Sequence, residues 1–111
     1  MSDLPRCLYE PDGEHFIPTG LTRGPWDPGF QHAGPPAALL ARAVEQAAGV
    51  APGQAGRLGY DILRPIPLAP HRVETRTLRP GRNVEQLEAT LLDAGSGDAL
   101  MRLTAWRLRR E

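Results

Sequence analysis

Only one stretch of this sequence repeats its apolar residues at a helical interval, and the patterned stretches after it repeat at an interval of two. Ala37, Leu40, Ala41, Val44, Ala47 and Ala48 fall on one face of a 3.6-residue helix. Pro35 and Pro36 preset the backbone of its first turn, and Gly49 stands where a left-handed closing residue is wanted. Only Arg42, Glu45 and Gln46 are strongly polar, so the small alanines leave most of the surface free to be covered closely. The expectation is a single buried helix.

Beyond Gly53, Leu58, Tyr60 and Ile62 alternate with Arg57, Gly59 and Asp61. Val73, Thr75 and Thr77 alternate in the same way, as do Leu87, Ala89 and Leu91. Residues 99–108 have apolar residues at both parities, with Arg102 and Thr104 as exceptions, which predicts a central strand with Trp106 in the core. Turns are expected at 65–70, at Pro80 to Asn83 and at Gly95 to Gly97, so the four strands would follow one another in three antiparallel hairpin steps. One more short strand is expected near His15 to Ile17, after an N-terminal extension of about residues 1–13. The fold class is therefore α+β, one helix wrapped by a curved antiparallel sheet. A ferredoxin-like alternative needs a second helix, which the sequence does not offer. At 111 residues the chain fits one domain, residues 1–111.

Composition narrows the function. Thirteen Arg balance thirteen Asp plus Glu, and Lys is absent, so no general cationic field exists to hold nucleic acid or an anionic membrane. Cys7 is the only cysteine, and three scattered histidines add no structural zinc spacing, so neither metal nor cofactor is expected. With no leader-like or membrane-spanning apolar run, the reading is a cytoplasmic protein. The 12 Gly and 12 Pro are clustered: nine of the 19 residues from Pro18 to Pro36 are one or the other. That describes a special loop between ordered elements.

The loop is the candidate site. It carries Trp26, Asp27, Phe30, Gln31 and His32 and runs directly into the helix, whose first amides lack intrahelical acceptors and sit at the positive end of the macrodipole. A carbonyl oxygen or anion fits there. Because Pro35 and Pro36 have no N–H, the donors are restricted to neighbours such as Gly34, Ala37 and Ala38. Asp27, Gln31 and His32 are the polar side chains at hand to position or deprotonate a water, and Trp26 and Phe30 are apolar groups for a substrate. The alternative is structural: Asp27 and His32 bonding loop backbone, and Trp26 plugging the core. Arg76, Arg79 and Arg82 fit a solvated strand face and turn better than a phosphate site, Glu45 suits a surface pair with Arg42, and Arg107, Arg109 and Arg110 read as a charged terminus.

Four blocks in order, from Arg23 to Trp26, from Gln31 to Ala43, from Asp61 to Leu68 and from Arg79 to Arg82, resemble the N-terminal hotdog domain of acyl-CoA thioesterase-like proteins related to bacterial thioesterase II. The resemblance implies a hotdog, a long helix wrapped by an antiparallel sheet, with two units pairing edge to edge and an acyl-CoA bound between them. It carries the helix-start backbone site onto His32 to Gly34, with Ala33 in place of a glycine. Such chains usually hold two hotdogs, and the hydrolytic residues lie largely in the second, so this chain resembles the first half. Single-hotdog thioesterases place a helical acid where Ala41 stands here. Two functions follow. One is an acyl-CoA thioesterase working as a homo-oligomer, with Asp27, Gln31 and His32 as catalytic candidates and Trp26, Phe30, Gly34 and Ala37 as substrate-binding candidates. The other is a non-catalytic acyl-binding or structural half that pairs with a second hotdog chain.

Overall fold

The computed structural model describes residues 7–27, 29–47 and 53–109. A hairpin of β1 (Tyr9–Asp12) and β2 (His15–Pro18) comes first, turning at Gly13, whose φ of 61° lies in the left-handed region open to glycine. The residues assigned by sequence to the end of an N-terminal extension thus form an edge strand. A 3-10 turn (Gly20–Thr22) and the loop lead to α1 (Gly34–Gln46), followed by β3 (Gly53–Ile62), β4 (His71–Arg79), β5 (Val84–Asp93) and β6 (Ala99–Arg109). The helix covers the expected segment as far as Gln46 and ends with Ala47 as an extended cap; Ala48, expected on its face, and Gly49, expected to close it, lie outside the described residues.

The sheet is antiparallel throughout, in the order β1-β2-β4-β5-β6-β3. One step of the expected topology is corrected here. β3 does not form a hairpin with β4; it pairs with β6 at the far edge, and β4 pairs with β2. Alternation along a strand reports which side chains share a face but not which strand lies alongside, so the pattern could not choose between these neighbours. The remaining two hairpin steps and the central place of β6 hold.

Helix and sheet meet through Leu39, Leu40 and Val44 on one side and Leu87, Ala89, Leu91, Met101, Leu103 and Ala105 on the other. Burying each large aliphatic side chain contributes about 1.5–3 kcal/mol. Ala37 and Ala41 let the helix approach closely. On β6 the inward parity is 101, 103, 105, 107, so Trp106 lies on the opposite face of the sheet and is only half-buried, not in the core.

The same parity buries Arg107. Its guanidinium, only 1% exposed, faces Glu85 directly across β5–β6 and donates to the carbonyls of Val44 and Ala47 at the end of α1. Arg107 is therefore a helix cap inside the molecule rather than part of a charged terminus.

Candidate functional site

The loop from Arg23 to Ala33 is tied down along its length. Gly24 N–H donates to the Phe30 carbonyl at 2.8 Å and His32 N–H to that of Thr22 at 3.0 Å. Gln31 N–H donates to the carbonyl of Ile66 at 2.8 Å, and Leu68 N–H to that of Gly29 at 2.9 Å. Gly24 allows a close approach: a Cβ there would lie 3.1 Å from His32 N and 3.3 Å from the Gln31 carbonyl carbon, so the facing backbone would have to give by a few tenths of an ångström.

Gln31, expected beside Asp27 and His32 as a group for water, is instead turned inward and buried. Its amide nitrogen donates to the Pro67 carbonyl at 2.8 Å and to His71 Nε2 at 2.6 Å, and its oxygen accepts from the Tyr9 hydroxyl at 2.5 Å. Because Pro67 offers only an acceptor, the amide orientation is fixed, and His71 Nε2 must accept. The proton of neutral His71 then sits on Nδ1, which is buried without a partner in hydrogen-bonding geometry. Burial lowers the His71 pKa from 6.5, while Asp93 opposite and the backbone of Leu92 and Pro67 pull weakly upward. Burial likewise raises the Tyr9 phenol. Gln31 thus clamps β1, β4 and the 66–68 segment to the loop three residues before the helix start. Its partners, Tyr9 and His71, were missed by sequence reasoning; the only available signal was the inward parity His71 shares with Val73.

Asp27 and His32 both lie at the surface. One Asp27 carboxylate oxygen accepts from Gly29 N–H at 2.7 Å, a local turn. The His32 ring rests against the helix start, where a Cβ on Gly34 would be 3.2 Å from it. Trp26 is 95% exposed and does not plug the core, and Phe30 is 37% exposed.

At the start of α1, Ala33 makes no side-chain cap, and the positions that such a cap would serve are Pro35 and Pro36, which have no N–H. Ala37 N–H is taken by the Ala33 carbonyl at 3.1 Å, which removes it from the expected donors. The amides of Ala33 and Gly34 donate to no described residue. Two consecutive donors therefore stand at the positive end of the helix. The Tyr60 hydroxyl donates to the Ala37 carbonyl at 2.8 Å, which places this end of the helix beside the edge strand β3. Burial raises the Tyr60 pKa from 10.0. Beyond β3 no described strand pairs, and Leu58, Tyr60, Ile62 and Leu63 are exposed along it, Ile62 at 60%. Among the described residues no three His, Cys, Asp or Glu side chains gather to hold a metal, and no helix is long and apolar enough to cross a membrane.

Comparison with known proteins agrees with this architecture. The family model for the acyl-CoA thioesterase N-terminal domain matches residues 22–108. No curated protein sequence matches the chain significantly. Among solved structures, the Escherichia coli PaaI protein of the phenylacetic acid degradation operon superposes with a TM-score of 0.76 at 15% identity, over 87% of this chain and 70% of that one. A Streptococcus mutans protein bound to acetyl-CoA gives 0.72 at 15% identity, over 87% and 85%. A Thermobifida fusca thioesterase II candidate gives 0.68 at 19% identity, over 90% of this chain but 36% of its own. At these identities the likeness is one of fold, and the fold is the hotdog.

Proposed function

Since the chain belongs to the acyl-CoA thioesterase N-terminal domain family, we propose that it binds acyl-CoA thioesters at the start of α1 in a two-hotdog assembly and hydrolyses them there. The observation that carries this reading is the pair of free amides at Ala33 and Gly34 beside the bare edge of β3. Pairing of β3 with the same strand of a second copy would satisfy its unpaired backbone groups, cover Leu58, Tyr60 and Ile62, and close a cleft over the helix start. The thioester carbonyl oxygen would accept from the two amides, which stabilise the charge that develops as water attacks. In this reading His32 orients that water and the Asp27 carboxylate takes its proton. The C–S bond then breaks, the thiolate takes a proton, and a free acid and CoA leave. Gln31 acts in this reading by positioning, since its amide is spent on Tyr9, Pro67 and His71.

A panel of acyl-CoA esters, followed by thiol release, tests the reading. Release well above that of an Asp27→Asn variant supports hydrolysis, and release equal to it at every chain length removes the catalytic part. The second reading, a non-catalytic half that pairs with another hotdog chain, is favoured by Ala41, which stands where single-hotdog thioesterases place the helical acid. A homodimer that hydrolyses acyl-CoA would exclude it.

A further inference from the structure

On the flank of α1 turned away from Ala37 and Ala41, the first hairpin stands off the helix. Between them lies a pocket of about 420 Å³, walled by Leu8 and Phe16 of the hairpin segment, Val73 of β4, and Leu39 and Ala43 of the helix. At 100° per residue these helix positions are roughly opposite Ala37 and Ala41, so the pocket does not face β3. Its volume falls within the roughly 300–1,000 Å³ of small-molecule sites. Among the described residues no Asp or Glu lines it. Its charged lining group is Arg42, with the Gln46 side chain one turn further on. Arg42 makes no described ion pair, so the surface pairing with Glu45 expected from sequence is not formed.

We propose that this pocket binds a small organic carboxylate, with its apolar body between hairpin and helix and its carboxylate on Arg42. The charge decides the class. A guanidinium offers only donors, in a planar fork that matches a carboxylate two bonds at a time, and no acid among the described lining residues would hold a cationic ligand. The apolar walls require a hydrocarbon body, which a bare inorganic anion lacks. The site does not depend on the hydrolytic reading.

Calorimetry of the full chain with decanoate, below the concentration at which it forms micelles, tests the proposal directly. Saturable binding is expected, weakened roughly ten- to a hundred-fold in Arg42→Gln, the range for loss of a charged hydrogen bond. Arg57→Gln, on the far face of β3, should leave it unchanged, and decanol, with the same body and no charge, should bind more weakly by the same factor as the Arg42 change. Cys7 lines the pocket and is the only cysteine, so its alkylation rate locates the ligand. Decanoate should slow it at least two-fold. Three results each overturn the proposal: no saturable binding, affinity unaffected by Arg42→Gln, or binding that leaves Cys7 alkylation unchanged. Tighter binding of decyl phosphate than of decanoate would overturn the carboxylate assignment. Arg42 is exposed and unpaired, so its variant should melt with the parent and a lost signal cannot be laid to misfolding. None of these readouts needs hydrolysis, so the pocket and the thioesterase reading fail independently.

Discussion

Replacing Arg107 by Met should be among the most damaging single changes on the inner face of the sheet, although the residue sits near the end of the chain. The guanidinium is buried, bonded to Glu85 and to the carbonyls of Val44 and Ala47. Methionine fills similar space but removes all of these bonds. Breaking a buried ion pair from one side typically costs about 3–5 kcal/mol, because the other charge stays buried without its partner. The Ala47 carbonyl, left without a donor, adds about 1–3 kcal/mol unless water reaches it, whereas that of Val44 keeps the Ala47 N–H. The sum approaches the 5–15 kcal/mol by which a whole domain is stable. Since 1 kcal/mol moves the midpoint of a domain this size by about 4–8 °C, the variant should melt at least ~15 °C below the parent or fail to fold. Thermal and urea unfolding followed by circular dichroism measure this. The double variant Glu85→Met with Arg107→Met separates the two contributions. Replacing both charges by apolar groups is often neutral, so the double variant should recover most of the loss and keep a deficit of about 1–3 kcal/mol from the helix end. A cost below ~1 kcal/mol for Arg107→Met would refute the reasoning. So would a double variant less stable than the single one.

Stability should fall as pH drops below about 6.5: burial lowers the His71 pKa from that value, so the unfolded chain binds more protons there. His71→Phe, though less stable at neutral pH, should show a flatter dependence of Tm on pH between neutrality and pH ~5, and an unchanged slope would assign the acid sensitivity elsewhere. Ala33→Pro removes one of the two free amides at a φ of −73°, which proline accepts. It should lower kcat for thiol release by about 10²–10³ while leaving the fold intact, and a change confined to KM would speak against an oxyanion role. Ile62→Lys puts a charge on the exposed edge of β3 and should yield a monomer in sedimentation, with thiol release lost; a stable active dimer would move the interface to another surface.

Local pattern and long-range pairing were not equally legible. The helix announced itself because Leu40 and Val44 face one side at helical spacing, and β5 because Leu87, Ala89 and Leu91 alternate with polar residues. The partner of β3 did not. Its alternation suits any neighbour, and the pairing with β6 joins segments about 40 residues or more apart, which a local pattern does not encode. Within the site, Asp27 and His32 were visible as polar groups near a helix start, whereas the inward turn of Gln31 depends on Tyr9 and His71, which are distant in sequence. Arg107 was hidden for a different reason. An arginine near a terminus is ordinarily solvated, and only the pairing of β5 with β6, which sets it opposite Glu85 on the inward parity of both, shows that it is not.

The two ends of α1 now explain each other. At its C-terminal end the last carbonyls are met by a buried guanidinium, so the negative pole of the helix is neutralised within the protein. At its N-terminal end nothing comparable occurs. Ala33 brings no cap, Pro35 and Pro36 remove the donors that a cap would need, and Ala33 and Gly34 keep their amides without a described acceptor. A domain that needed this helix only as packing would gain from closing both ends, since a capped start stabilises by about 1 kcal/mol. In the proposed reading, leaving one end open and narrow, held in place through Gln31 and set beside the unpaired edge of β3 by Tyr60, puts the free donors where an incoming carbonyl and a second hotdog would meet.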